Sequence, residues 1–129
     1  MKVYIAAPWT QQARAKKMAR LFEEHGLVVT SSWLEIPPGG DSAGTGVKEA
    51  YLREQAHHDI SDILRSDYLV CFNWEKSEGK AFEMGLAIQA GMSVISVGKR
   101  HTIFALLTHE VPDAEAAIAY IKGHTPTSK

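Results

Sequence analysis

Short apolar runs alternate with longer segments of helical periodicity along the chain, and this alternation constrains the fold more than any other feature. Four runs are apolar or nearly so, as strands covered on both faces must be: residues 3–6, 27–30, 68–72 and 93–97. Parallel strands need long crossovers, and the helical segments between the runs supply them. The sequence therefore predicts an α/β protein with a doubly wound parallel sheet of about five strands and helices on both faces.

The segments between the runs carry helix signals at their ends. Thr10 is predicted to cap the first helix, and Gly26 takes the position where a left-handed residue usually ends one. Further elements are predicted as helices at 48–66, 79–90 and 113–122, a helical turn at 103–107 and an edge strand at 110–111. The predicted buried stripe of the second helix consists of Ala56, Ile60, Ile63 and Leu64.

The size and charge of the chain exclude several classes of function. Its 129 residues suit one domain, 1–129, with a tail from about 123 to 129 that we expect to be disordered. Fourteen basic and fifteen acidic residues give a net charge of −1, without the basic excess that nucleic-acid polymers require. No apolar run approaches the roughly 18 residues of a membrane span, and one cysteine excludes an internal disulfide. We expect a cytoplasmic protein whose partners include no membrane and no nucleic-acid polymer.

Ligands of open parallel sheets bind beyond the carboxyl ends of the strands, so the segments that leave those ends are candidates for a site. In this chain they are residues 7–10, 31–47, 73–80 and 98–102. Glu83 closely follows one of them, near the start of a predicted helix, where the macrodipole favours an ionised carboxylate. Its neighbours are apolar or small, and a carboxylate desolvated in this way is costly unless it has a function.

Two segments carry a specific resemblance. Residues 77–87 read SEGKAFEMGLA, which contains the pattern G-x-x-x-E-x-G-x-A, and residues 59–70 read DISDILRSDYLV. Together with the opening strand VYIAAPW at 3–9, they resemble the nucleoside 2-deoxyribosyltransferase superfamily over about residues 2–97. The resemblance implies a flavodoxin-like (Rossmann-like) fold, no metal or organic cofactor, and a homodimer or higher homo-oligomer whose active sites are shared between subunits.

The resemblance also implies roles for three residues. Glu83 matches the nucleophile that attacks C1′ of the sugar, Asp59 the carboxylate that helps to protonate the departing base, and Tyr4 the tyrosine that positions the nucleophile. This is the chemistry of glycosidic cleavage, in which two carboxyl groups flank an oxocarbenium-like centre. Water resolves the glycosyl ester in a hydrolase, whereas a second base does so in a transferase.

Ser77 favours one branch of the superfamily. The transferases tend to have an acidic residue here that binds the sugar 5′-hydroxyl, whereas the monophosphate hydrolases have serine, whose hydroxyl suits a phosphate. We therefore predict that a (deoxy)nucleoside 5′-monophosphate is cleaved to release its base, although Ser77 is also a good N-cap for the helix that follows. The other predicted substrate contacts are Gly79, Ala6, Trp9, Trp33 and Thr102.

The chain departs from the hydrolases at two places, which keeps a base-exchanging transferase as the first alternative. Residues 6–10 read AAPWT where the hydrolases have a serine- and glycine-rich phosphate loop. Thr102 is the only polar substitute for the contact that the hydrolases receive from a neighbouring subunit. No basic phosphate clamp is evident, and whether Lys99 or Arg100 reaches a phosphate stays open.

Three further interpretations carry less weight. Residues 38–49 look like the P-G-G-x-G-T-x-x-E signature of the phosphoribohydrolases that release cytokinins, but they contain an insertion and follow an early strand. His57 and His58 lie next to Asp59, yet adjacent helical residues diverge by about 100°, which disfavours a shared metal. A non-catalytic nucleotide-binding module is the alternative from a different class, because a fold does not determine a function.

Overall fold

The structure, a computed structural model, describes residues 1–36 and 46–124 and contains a five-stranded, all-parallel sheet. The strands are β1 (Lys2–Ala6), β2 (Val28–Val29), β3 (Tyr68–Phe72), β4 (Ser93–Val97) and β5 (His109–Val111). They are arranged in the order β2-β1-β3-β4-β5, which is the flavodoxin-like order. The predicted doubly wound α/β fold with about five strands is confirmed.

Four α-helices connect or follow the strands: α1 (Gln12–Glu24), α2 (Gly46–Leu64), α3 (Glu78–Gln89) and α4 (Ala114–Gly123). Three short 3-10 helices lie at Trp9–Gln11, Ser32–Glu35 and Ile103–Leu107. Gly26 follows α1 with a φ of 82°, as the sequence predicts for a helix end. Asp113 begins α4 by accepting a hydrogen bond from the Ala116 N–H.

The two central strands form the middle of the core. Every residue of β3 is buried, and β1 is buried after its first residue, so both faces of the sheet are covered there. Strand order reverses between β1 and β3, because β2 lies on one side of β1 and β3 to β5 lie on the other. This reversal is the switch point at which such folds open a crevice for a ligand.

Two predicted elements are wrong in detail. Strand β2 has two residues instead of the predicted 27–30, and the Leu27 N–H donates instead to the Phe22 carbonyl at the end of α1. Thr10 does not cap α1: it lies within the 3-10 turn that precedes the helix, and its hydroxyl donates to the Glu75 carboxylate.

The predicted stripe of α2 is only partly buried. Ile63 is fully buried, but Leu64 and Ala56 are exposed. Asp62 is buried instead, because its carboxylate accepts hydrogen bonds from the Ser32 amide and hydroxyl and forms an ion pair with Arg65. Since these bonds tie α2 to the 3-10 turn at Ser32–Glu35, a polar contact fixes the rotation of this helix.

Some predictions fall outside the described residues. The P-G-G segment at 38–49 lies largely in 37–45, and the predicted tail lies mostly in 125–129. Within residues 1–36 and 46–124, no helix is both long and apolar enough to cross a membrane.

Candidate active site

Strand β1 and helix α3 bring the first two predicted catalytic residues into contact. The Tyr4 hydroxyl donates a hydrogen bond of 2.5 Å to Glu83 Oε2, across 79 positions of sequence. Tyr4 is fully buried in β1, and burial raises the pKa of its phenol, so the phenol keeps its proton and donates it. The hydrogen bond therefore holds one carboxylate oxygen of Glu83 and leaves the other for chemistry.

Burial, and not the helix terminus, controls the protonation of Glu83. Burial raises the pKa of the Glu83 carboxyl to about 8; the hydrogen bond from Tyr4 opposes this shift, and the charge of Asp59 adds to it. We expected the start of α3 to keep Glu83 ionised. That expectation is wrong, because Glu83 lies in the second turn of α3, beyond the first turn in which a helix end acts, and burial has the largest effect on its pKa.

Asp59 lies on α2 and faces the same space as Glu83. The two carboxylates line one cavity of about 430 Å³ at the carboxyl edge of the sheet, which we call the carboxylate cavity. Its lining residues are Ala7, Trp9, Trp33, Ile36, Leu52, Gln55, Ala56, Asp59, Ser77, Gly79, Lys80 and Glu83. The Gln55 amide donates a hydrogen bond of 2.9 Å to Asp59 Oδ1 and orients that carboxylate within α2.

Two tryptophans form an aromatic wall of the carboxylate cavity. The rings of Trp9 and Trp33 lie 5.8 Å apart between centroids, tilted by 44°. The Trp33 indole N–H donates to the Ile5 carbonyl at 2.8 Å, and the Gln12 amide donates to the Trp33 carbonyl at 2.9 Å, so this ring is held firmly. Trp9 is only partly buried and presents more of its ring to a ligand.

The start of α3 places two further predicted residues at this cavity. Ser77 is the N-cap, because its hydroxyl oxygen accepts the Lys80 N–H at 3.2 Å, and it also lines the cavity together with Gly79. Capping and ligand contact are therefore compatible roles for Ser77. Ala6 is placed differently: it is fully buried in β1, paired with Cys71, and Ala7 lines the cavity in its place.

A second cavity of about 260 Å³ adjoins the first, and we call it the basic cavity. Its lining residues are Cys71, Asn73, Lys76, Ser77, Glu78, Lys80, Ala81, Met84, His101, Thr102 and Ala105. Ser77 and Lys80 line both cavities and form the wall between them. Predicted residue Thr102 therefore lies beyond this wall, away from Glu83, where its hydroxyl oxygen accepts the Phe104 N–H.

Other candidates from the sequence lie away from both cavities or are already engaged. Arg100 forms a two-pronged ion pair with Glu110, with N–O distances of 2.9 and 2.7 Å. His57 and His58 are exposed on α2. In the part of the chain that the structure describes, no three His, Cys, Asp or Glu side chains are grouped as a metal would need. Cys71 lines the basic cavity, but its thiol donates to Asn73 Oδ1 at 3.6 Å, and burial raises the pKa of that thiol to about 12.

Lys80 and His101 are the residues that sequence reasoning missed. Lys80 is 4% exposed, although it is a lysine in the first turn of a helix, where the macrodipole disfavours a cation. The sequence could have indicated Lys80, because a cation in the first turn of a helix is unfavourable unless other contacts stabilise it. No comparable signal marked His101, since only the folded chain brings it to Lys80.

Three solved structures share this fold over nearly the whole chain. A CMP N-glycosidase from Clostridium botulinum is 19% identical, with a TM-score of 0.60, over 96% of this chain and 100% of its own. A 2-deoxyribosyltransferase from Bacillus psychrosaccharolyticus is 17% identical, with a TM-score of 0.62, over 93% and 92%. A conserved protein from Enterococcus faecalis is 18% identical, with a TM-score of 0.64, over 95% and 98%. The predicted fold is confirmed.

No protein-family model and no curated protein sequence matches this chain. The first two neighbours are, by their names, enzymes of nucleotide or nucleoside chemistry, which agrees with the superfamily that the sequence resembles. At identities below 20% this likeness concerns the fold, so the function has to be argued from the site residues.

Proposed function

We propose that the protein is an enzyme of the nucleoside 2-deoxyribosyltransferase superfamily that hydrolyses the N-glycosidic bond of a nucleoside 5′-monophosphate. The observation that carries this proposal is the pairing of Glu83 with Tyr4 in a cavity that Asp59 also lines. A carboxylate oriented by a buried phenol, beside a second carboxylate and an aromatic wall, suits attack on a sugar that carries a flat base. The neighbouring glycosidase and transferase folds support the same reaction class.

The reaction proceeds by two displacements at C1′. The Glu83 carboxylate attacks C1′ while the C1′–N bond breaks, and the electron pair of that bond leaves with the base, which takes a proton from the Asp59 carboxyl. A water molecule then gives a proton to Asp59 and attacks C1′ of the glycosyl ester. Its oxygen bonds to C1′, the ester bond breaks and Glu83 is restored. The products are the free base and the sugar 5-phosphate.

The protonation state of Glu83 sets a requirement on the first displacement. Only the carboxylate form attacks C1′, and the pKa of this carboxyl is raised to about 8 by burial. The Tyr4 hydrogen bond lowers the pKa and so favours the reactive form. This agrees with the role that the resemblance implies for Tyr4, which is to position the nucleophile.

Base exchange is the second candidate, and the structure offers one observation that weighs against it. The transferases tend to use an acidic residue at the position of Ser77 to bind the 5′-hydroxyl. Here the side chains of Ser77 and the buried Lys80 stand at that wall of the cavity. A cation and a hydroxyl favour an anionic substituent on the sugar, as in a monophosphate.

A substrate panel tests the reaction. The protein is incubated with nucleosides and their 5′-monophosphates, with and without an acceptor base, and the products are separated by chromatography. We expect base release from monophosphates, no exchange product, and a loss of turnover with retained binding in Glu83→Gln. Exchange on unphosphorylated nucleosides would establish the transferase instead, and binding without turnover in the unchanged protein would establish a nucleotide-binding module.

We also propose that the protein assembles as a homodimer or larger homo-oligomer in the cytoplasm. Four apolar side chains beside Thr102 are 72%, 58%, 60% and 67% exposed: Ile103, Phe104, Leu106 and Leu107. Such a continuous apolar segment supports contact with a second copy of the chain. Sedimentation of the protein and of Leu107→Asp tests this, and a monomer in both cases would refute the assembly.

A further inference from the structure

Helix α2 presents a stripe of four described side chains to the carboxylate cavity. Leu52, Gln55, Ala56 and Asp59 are spaced as i, i+3, i+4 and i+7, so they lie along one face of the helix. Leu52 and Ala56 are apolar and offer a ligand no side-chain hydrogen bond. Among the described lining residues, Gln55 is therefore the polar neighbour of Asp59 on this helix, and it carries the only side-chain amide of the cavity.

Asp59 determines the direction of the Gln55 amide. The Gln55 Nε2 donates a hydrogen bond of 2.9 Å to Asp59 Oδ1. If the amide were rotated by half a turn, its Oε1 would face Oδ1, and two acceptors would be opposed without a proton between them. The hydrogen bond therefore keeps Nε2 on the side of Asp59 and leaves Oε1 as an acceptor at the other end of the amide.

The proposed reaction requires a base atom that accepts a proton from Asp59. In a purine this atom is N7 and in a pyrimidine it is O2, and each is separated from the glycosidic nitrogen by one carbon. The group beside that atom differs between bases. It is an N–H donor in adenine, uracil and thymine, namely the 6-amino group or N3–H, whereas it is an acceptor in guanine and hypoxanthine (O6) and in cytosine (N3).

We propose that Asp59 and Gln55 together recognise the edge of the departing base and select a proton acceptor that lies beside an N–H donor. Asp59 donates its proton to N7 or O2, while Gln55 Oε1 accepts from the neighbouring N–H. Adenine, uracil and thymine fit this pair of contacts, and guanine, hypoxanthine and cytosine do not. The inference rests on the proposed function for the reaction, and on the hydrogen bond between Gln55 and Asp59 for the selection.

The energy of selection comes from an acceptor that is left without a donor. With adenine or uracil both hydrogen bonds form, and the base leaves with the electron pair of the C1′–N bond and the proton of Asp59, as a neutral tautomer. With guanine or cytosine, Oε1 faces a second acceptor, and both lose water without gaining a partner. Trp9 and Trp33 contact the flat face of any base, so they bind it without selecting it.

Pairs of nucleotides that differ beside the protonated atom test the selection in the unchanged protein. Base release is measured as kcat/KM for adenosine against inosine 5′-monophosphate and for uridine against cytidine 5′-monophosphate, in the ribose and deoxyribose forms. We expect the first member of each pair to react faster by roughly 10- to 100-fold, the range for a well-placed pair of base contacts. Equal values would overturn the inference. Faster release of hypoxanthine and cytosine would also overturn it, because the second N–H of Gln55 would then face the base.

Variants of Gln55 separate base recognition from the positioning of Asp59. Gln55→Leu has no acceptor and should abolish the preference within each pair, whereas a residue that only positions Asp59 would lower kcat for all four nucleotides alike. Gln55→Glu keeps an acceptor and should keep the preference at a lower kcat, because the hydrogen bond to Asp59 is lost. Gln89→Leu, the same change at an exposed position of α3 outside both cavities, is the control. A preference that Gln55→Leu retains would overturn the inference.

This inference and the proposed function fail in different ways. If no base is released from any nucleotide, binding is measured by titration. Tighter binding of the adenine nucleotide than of the hypoxanthine nucleotide, abolished in Gln55→Leu, would then mean that the recognition stands and the hydrolase is wrong. If all four bases are released equally well, the hydrolase stands and the recognition is wrong. Should Gln55→Leu fail to fold, Gln55→Glu and the nucleotide pairs in the unchanged protein decide the question.

Discussion

The carboxylate cavity and the basic cavity lie side by side at the same edge of the sheet, yet their chemistry is opposite. The first contains Glu83 and Asp59 with two indole rings, and burial raises the pKa of Glu83. The second contains Lys76, Lys80 and His101, and burial lowers the pKa of Lys80. The same loss of hydration thus pushes groups of both signs toward neutrality.

The difference shows that one edge of a sheet can hold two cavities of different chemistry. The carboxylate cavity opens at the switch point between β1 and β3, where two helices contribute acidic side chains. The basic cavity opens one strand further, between β3 and β4. Ser77 and Lys80 line both cavities, so the start of α3 contributes to each of them.

The largest effect is expected from Glu83→Gln. The amide cannot attack C1′, so kcat should fall about 1000-fold or more for nucleosides and monophosphates alike. Affinity for the monophosphate, measured by titration, should stay the same because the substitution keeps the shape of the side chain. Residual turnover within about 10-fold of the unchanged protein would remove Glu83 from the chemistry.

Asp59→Asn should have the next largest effect. Loss of the acid that protonates the leaving base is expected to reduce kcat by about 100- to 1000-fold, and less for a base that departs easily without a proton. Rates with a poor and a good leaving base measure this difference. Glu54→Gln is the matched control, because Glu54 is exposed on the same helix and contacts His58 only weakly at 3.7 Å.

Tyr4→Phe should have a smaller effect that depends on pH. The Tyr4 hydrogen bond lowers the pKa of Glu83, so its removal should move the rising limb of the kcat/KM profile from about 8 to a higher pH, with about 10-fold lower activity at neutral pH. Tyr68→Phe removes another buried phenol, one that bonds to the His124 carbonyl, and should leave the profile in place. A profile that Tyr4→Phe does not shift would contradict the proposed activation.

The smallest effect concerns stability. The pKa of Glu83 is higher in the folded chain than the usual 4.5, so the folded state binds the proton more tightly and the free energy of unfolding should fall as pH rises from about 4.5 to 8. Between pH 5 and pH 9, the free energy of unfolding measured in urea should fall by about 1–3 kcal/mol less for Glu83→Gln than for the unchanged protein. Parallel pH curves would show that burial does not shift this group.

The fold and the place of Glu83 at a cavity could be predicted because their signals are local. Strands β3 and β4 are continuous apolar runs, and Glu83 stands out as a charge among small and apolar neighbours. The rotation of α2 could not be predicted, since Asp62 is buried through bonds to Ser32, which is 30 positions away in the sequence.

The basic cavity escaped sequence analysis for a related reason. Asn73, Lys80 and His101 come from a strand end, a helix and a later loop, and hydrogen bonds in the folded chain unite them. The sequence suggested Lys99 and Arg100 because they are adjacent cations. Arg100 forms an ion pair with Glu110, and Lys99 does not line either cavity. Neutral hydrogen-bond donors and a single buried cation are harder to recognise in a sequence than a run of basic residues.

The N-cap at Ser77 starts a helix on which Lys80 and Glu83 lie almost one turn apart. Because backbone hydrogen bonds fix that interval, no movement of a surrounding loop alters it. Under the proposed function, α3 therefore fixes the distance between the Glu83 carboxylate at the anomeric carbon and the side chains of Ser77 and Lys80 in the same cavity. A phosphate on the 3′-oxygen would not lie at that distance. The enzyme would therefore reject positional isomers of its substrate without contacting the misplaced group.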